Sequence, residues 1–162
     1  FVIATASTLE KCAIASERGA DHAILYENGQ FADIARSLTD ARGVDVVFDS
    51  VGKATLRDSM RAARKQGLVV NYGNVSGSVK NFDPLELGEA GSLFLTRPRL
   101  ADYMSTAEIV RYRASAVFSG LIEGALAVNI AHRYALNEVL DGLARIERRE
   151  QIGKAIAIID SA

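Results

Sequence analysis

A short apolar run gives way to a longer amphipathic stretch four times in succession, and this alternation limits the fold more than any other feature of the chain. The runs fall at residues 2–5 (Val-Ile-Ala-Thr), 23–26, 44–48, 67–72 and 92–96. They are almost continuously apolar, as strands covered on both faces are. Helices are predicted between them, near residues 8–18, 30–40 and 53–64, with a short one from Asp83-Pro84 and a long one near 106–119. Ser7-Thr8-Leu9-Glu10 and Ser105-Thr106-Ala107-Glu108 have capping-box spacing. Gly19 stops the first helix, and Pro84 sits at a first helical position behind Asp83. The stripe Phe31, Ile34, Ala35 and Leu38 is expected to face inward, as are Leu56, Met60 and Ala63. Strands alternating with helices in this way predict a parallel, doubly wound α/β sheet.

The last forty residues depart from that rhythm. Residues 127–131 and 155–159 read as strands, with a helix at 136–146 between them. A lone doubly wound domain has no use for them. The expected division is therefore 1–124 for the sheet domain and 125–162 for a separate segment. The first residues, Phe1-Val2-Ile3-Ala4-Thr5, already read as a buried strand, so the chain is expected to be a fragment of something longer.

Composition removes several classes of function. Nineteen basic residues balance twenty acidic ones across 162 positions, so no basic excess points to nucleic acid. No apolar run approaches the length of a membrane span, and no membrane partner is expected. Cys12, the only cysteine, can form no intramolecular disulfide, and a reducing, cytoplasmic setting is expected. Two histidines and one mid-helix cysteine are too few and too scattered for a metal site.

In an open parallel sheet, ligands bind at the carboxyl ends of the strands. The first strand ends in Ala6-Ser7-Thr8 with no acid, where an NAD-selective site places one for the ribose 2′-hydroxyl. Small polar residues at a helix N-terminus suit a 2′-phosphate instead, and Lys11 follows one turn later. A plain helix cap and a solvated lysine account for the same residues. Asp49-Ser50-Val51-Gly52 and Gly73-Asn74-Val75-Ser76-Gly77 end two further strands and offer turns where a cofactor can approach backbone, or simply turns. No G-x-G-x-x-G occurs.

Four blocks carry a family resemblance: Val46-Val47-Phe48-Asp49-Ser50-Val51-Gly52, Tyr72-Gly73-Asn74-Val75-Ser76-Gly77, Asp83-Pro84-Leu85-Glu86-Leu87, and Gly91-Ser92-Leu93-Phe94-Leu95-Thr96-Arg97-Pro98. Together they resemble the zinc-independent NADPH:quinone oxidoreductases, the zeta-crystallin branch of the medium-chain dehydrogenase/reductase superfamily. The resemblance spans essentially the whole chain. It implies a Rossmann-like sheet lacking its first strand and the Ala-Ala-Gly-Gly-Val-Gly loop that follows that strand. It also implies C-terminal strands that belong to a GroES-like catalytic domain absent from this sequence. NADP(H) is the implied cofactor and a quinone-like small molecule the implied acceptor.

By position, the resemblance implies that Ser7 and Lys11 hold the 2′-phosphate and that Tyr26 packs at the same end. It implies that Ser50 and Gly52 meet the cofactor at their strand end, and that Tyr72, Gly73 and Asn74 form the turn beside the nicotinamide ribose. Thr96, Arg97 and Pro98 would flank the nicotinamide amide, and Arg149 would reach the phosphates. No catalytic residue is assigned. Tyr72 stands where relatives often have Phe, and Val75 where they have Ser or Ala. The resemblance further implies a homodimer through the edge strand at residues 91–98, and a fragment inactive by itself. Two other readings stay open: another zinc-free reductase of enoyl or crotonyl type, or a crystallin-like protein that binds NADPH without turnover.

Overall fold

Apolar β-branched runs form parallel strands here, and helices pack on those at Ile3–Ala6, His22–Leu25, Val44–Asp49, Ala63–Asn71 and Ile130–Ala135. The computed structural model describes residues 1–26, 29–148 and 150–159. Two compact units divide the chain, one running from Phe1 to Tyr103 and the other from Met104 to Ala162.

In the first unit, strands β1 (Ile3–Ala6) and β2 (His22–Leu25) alternate with helices α1 (Leu9–Glu17) and α2 (Phe31–Ser37). Strand β3 (Val44–Asp49), helix α3 (Leu56–Ala62), strand β4 (Ala63–Asn71), helix α4 (Leu85–Glu89), strand β5 (Phe94–Thr96) and helix α5 (Leu100–Tyr103) follow. Strand β1 pairs with β2, and β4 pairs with both β3 and β5, every ladder parallel. Among the described residues the five strands thus form two groups, β2-β1 and β3-β4-β5, each ending on an unpaired edge, at β1 and at β3. A doubly wound sheet of order 3-2-1-4-5-6 has its first strand between those edges. The architecture is the expected Rossmann-like one, interrupted at that position.

Two apolar clusters support the unit. Ile24, Phe31, Ala32, Ala35 and Ala62 form one, with Ile3, Tyr26 and Leu38 packed on it. Leu56, Met60, Ala63, Val69 and Leu93 form the other. The buried face of α2 is Phe31, Ala32 and Ala35, whereas Ile34, expected inward, is exposed. Phe31, Ala35 and Leu38 keep the expected inward side, and Ala32 takes the place expected of Ile34.

Both predicted capping boxes are displaced by one residue. The N-caps are Thr8 and Thr106, whose hydroxyls accept from the N–H groups of Lys11 and Ile109 at 3.2 Å. Ser7 and Ser105 precede the caps because the chain is still extended at each threonine. Helix α4 begins one residue later than expected, at Leu85 with Pro84 in the N-cap position, and Asp83 precedes the cap. The Asp83 Oδ1 accepts from the Leu85 N–H, and the Glu86 carboxylate accepts in return from the Asp83 N–H.

The second unit contains helix α6 (Ala107–Ile122), strand β6 (Ile130–Ala135), a 3₁₀ turn (Leu136–Glu138), helix α7 (Val139–Glu147) and strand β7 (Lys154–Ile158). Strands β6 and β7 pair in parallel. Strand β6 starts later than the apolar run at 127–131 predicts. Its inward side is the alternating pair His132 and Tyr134, whose rings stack 6.0 Å apart, and period-two alternation decides the register.

Candidate functional site

A cavity of about 850 Å³ within the first unit runs along β1 and β3, in the gap between these two strands, and reaches their carboxyl ends. Its lining includes Ser7, Lys11, Tyr26, Ser50 and Tyr72, five of the residues singled out from the sequence. A second pocket of about 300 Å³ holds four more: Gly52, Gly73, Asn74 and Arg97. Leu56, Val79, Phe82 and Leu95 give it an apolar floor. Thr96 and Pro98 line neither cavity; Thr96 sits at the end of β5, paired with Val70. Arg149 lies outside the described residues.

Local structure explains why these side chains gather. Thr8 takes the capping role, which leaves the exposed Ser7 hydroxyl uncommitted and sets the half-buried Lys11 in the first turn of α1. Tyr26 follows β2 directly, and the Phe31 ring meets it edge-on with centroids 6.2 Å apart, which fixes its plane.

The charge around the larger cavity favours an anion. Its two lining carboxylates, Asp45 and Asp49, already have partners. Arg42 and Arg64 donate to Asp45 and hold its carboxyl well below the ordinary carboxylate range. Asp49 is buried and accepts from the Val51 and Gly52 N–H groups and from the hydroxyls of Thr55 and Ser59. Glu10, one position before Lys11, does not line the cavity. Among the described residues, Lys11 makes no ion pair with an acid.

Between the two cavities, the turns after β3 and β4 interlock. Gly52 adopts a φ of 86°, in the region that favours glycine. The Val75 and Ser76 N–H groups donate to the carbonyls of Ser50 and Val51, and the Lys53 N–H donates to the Gly77 carbonyl. Arg97 reaches back across β4, and its Nη1 donates to the Gly73 carbonyl at 2.8 Å and to Asn71 O at 2.9 Å. Its guanidinium therefore braces the turn that the sequence places beside the cofactor. Val75 is 65% exposed on the outside of that turn.

Sequence reading overlooked Asp49 and Ser76. The spacing Asp49-x-x-Gly52, an aspartate at a strand end before a turn, is the signal that marks the first. Nothing in the sequence marks Ser76, whose partners lie more than twenty residues away.

Residues 1–105 match the family described as zinc-binding dehydrogenase. The 2-haloacrylate reductase of Burkholderia sp is 36% identical over 161 residues, which cover 97% of this chain and 47% of that protein. A quinone oxidoreductase of Pseudomonas aeruginosa is 35% identical over 158 residues, covering 97% of this chain and 48% of its own length. A mycobacterial protein whose structure was solved with NADPH superposes with a TM-score of 0.92 at 34% identity, over 98% of this chain and 50% of that one. The chain spans about half the length of the curated relatives it matches.

Proposed function

The chain belongs to the zinc-binding dehydrogenase family, and on that premise we propose that it is the NADP(H)-holding part of a reductase that passes a hydride to a quinone or a similarly electron-poor carbonyl or enone. The observation that carries this reading is the grouping of Ser7, Lys11, Tyr26, Ser50 and Tyr72 at the carboxyl end of the larger cavity, whose lining carboxylates are already partnered. A dinucleotide 2′-phosphate is met there by an ammonium and a hydroxyl beside a helix N-terminus. The glycine turns of the smaller pocket, with their apolar floor, suit a flat ring lying against backbone.

When bound, the cofactor supplies the hydride chemistry, and this chain orients it. Ser7 and Lys11 hold the phosphate end, Tyr26 walls that end, and Ser50 and Gly52 let the ribose lie close to backbone. Tyr72, Gly73 and Asn74 carry the nicotinamide side, with Thr96, Arg97 and Pro98 behind them and Arg149 toward the phosphates. No residue of this chain acts as acid or base in this reading. By itself the 162-residue chain is expected to be inactive and to bind NADPH weakly, because these residues contain no glycine-rich loop to cradle the pyrophosphate.

The segment 125–162 joins a catalytic domain in this reading. In support, among the described residues β6 and β7 pair only with each other, and Val128 and Ile159 are exposed beside them. Among the described residues no three His, Cys, Asp or Glu side chains cluster. Strand β5, paired on one side only and carrying the 63%-exposed Phe94, supports a dimer through residues 91–98. A single-protomer mass by light scattering would remove the dimer. No helix among the described residues is long and apolar enough to cross a membrane, and a cytoplasmic enzyme is proposed.

The direct test uses the full-length protein. NADPH is expected to bind more tightly than NADH, and Lys11→Ala should cost about tenfold or more in NADPH affinity while leaving NADH unchanged. Equal affinity for both cofactors, indifferent to that substitution, would overturn the reading. A 2-enoate acceptor is the second reading, favoured by the similarity to a 2-haloacrylate reductase. Turnover of quinones against 2-haloacrylate and 2-enoyl thioesters separates the two. Tight NADPH binding with no acceptor reduced would instead favour a non-catalytic binding protein.

A further inference from the structure

Asp49 has the least exposed carboxylate of the site and the most hydrogen-bond donors around it. It ends β3 and is 4% exposed. Burying a carboxylate is unfavourable unless its oxygens find donors. Here Oδ1 accepts from the Val51 N–H at 2.8 Å and the Gly52 N–H at 2.9 Å. Oδ2 accepts from the Ser59 hydroxyl at 2.8 Å, and the Thr55 hydroxyl lies 3.0 and 2.9 Å from the two oxygens. A carboxylate offers about four lone-pair directions, and these donors occupy them. No direction remains for substrate, so Asp49 is not placed to move a proton.

Its main chain points the other way. The Asp49 carbonyl accepts from the Tyr72 N–H at 2.9 Å and the Gly73 N–H at 3.3 Å. One residue thus grips the turn at 50–52 with its side chain and the turn at 72–73 with its backbone. The Ser76 hydroxyl closes the other end of the same assembly. It donates to the Val51 carbonyl at 2.8 Å and accepts from the Ala54 N–H at 2.9 Å. Releasing the first turn from Asp49 removes the surface against which the second is set.

We propose that Asp49 is a positioning residue that couples the turns at 50–52 and 72–77, so that the strength of NADP(H) binding depends on a carboxylate whose oxygens are engaged by the protein itself. The proposal rests on the reading of this crevice as the NADP(H) site. Asparagine keeps an acceptor for the two backbone N–H groups and the Thr55 and Ser59 hydroxyls can turn to meet its amide, whereas alanine leaves four donors unsatisfied.

The test compares Asp49→Ala and Asp49→Asn in the full-length protein by NADPH titration, by KM for NADPH against kcat, and by amide hydrogen exchange. Asp49→Ala is expected to weaken NADPH binding about tenfold or more and to raise the KM for NADPH more than it lowers kcat. It should also speed exchange in 72–77 as well as in 50–55, and Asp49→Asn should recover most of the affinity. A folded Asp49→Ala protein with wild-type NADPH affinity, or with faster exchange in 50–55 alone, overturns the proposal. Should Asp49→Ala not fold, the double variant Thr55→Val, Ser59→Ala keeps both backbone bonds. It is expected to show the same joint rise in exchange with a smaller loss of affinity, and unchanged exchange in 72–77 overturns the proposal there too. Wild-type protein that fails to bind NADPH overturns the functional reading instead, and the exchange measurement still decides whether the turns are coupled.

Discussion

The Gly73 backbone lies against the backbone of Ser50 with no room between them for a methyl group. A Cβ on Gly73 would collide with the Ser50 carbonyl and Cα, main-chain atoms that cannot rotate away. Gly73→Ala must therefore separate the turns after β3 and β4. Overpacking of this kind costs about 1–3 kcal/mol. We expect a lower unfolding midpoint together with weaker NADPH binding, measured by urea denaturation and fluorescence titration. A variant that loses stability but binds NADPH as before would show that the contact is structural only.

Ser7 and Thr8 divide two tasks that their sequence leaves undivided. Thr8 caps α1, so Thr8→Ala should destabilise the protein by about 1 kcal/mol. Ser7 lines the cavity and does not cap the helix. Ser7→Ala should leave the unfolding midpoint nearly unchanged and weaken NADPH about tenfold, the effect of losing one hydrogen bond to a charged group. If the two phenotypes were exchanged, the cap assignment and the phosphate assignment would fall together.

That pair also shows where sequence reading stops. Residues 7 and 8 are both good caps, and Glu10 suits a capping box only with Ser7. The choice is made by β1, which stays paired with β2 through Ala6 and keeps the chain extended at Thr8. Strands were legible because β-branched apolar runs have few other places to go. Ser7, Lys11, Tyr26 and Ser50 were legible as a group because parallel strands bring their carboxyl ends to one side. Asp49 and Arg97 were harder. Arg97 was singled out as a cofactor neighbour, yet its guanidinium holds carbonyls 24 and 26 residues away, a relation that no local spacing encodes.

Met60 tests whether the second apolar cluster supports the unit beneath the smaller pocket. It is 3% exposed and packs with Leu56, Ala63, Val69 and Leu93. Met60→Ala should destabilise by about 2–5 kcal/mol, the range for truncating a buried long side chain. Urea denaturation reads this directly. A loss below about 1 kcal/mol would mean that the cluster collapses into the vacated space.

Asp45 gives the protein a pH dependence of known sign. The Arg42 and Arg64 hydrogen bonds lower its folded pKa below the ordinary 3.8. The stabilisation is therefore complete at neutral pH and is lost as pH falls from the unfolded value toward the folded one. Asp45 is exposed, with 57% of its side chain in contact with solvent, so its contribution is modest and weakened by salt. The wild-type protein should exceed Asp45→Asn in thermal midpoint by a constant margin above about pH 5, and that margin should shrink below about pH 4. Added salt should narrow it at neutral pH. A margin that widens on acidification would mean that Asp45 is not the group held by these arginines, and that the larger cavity keeps an unpartnered carboxylate where the functional reading needs none.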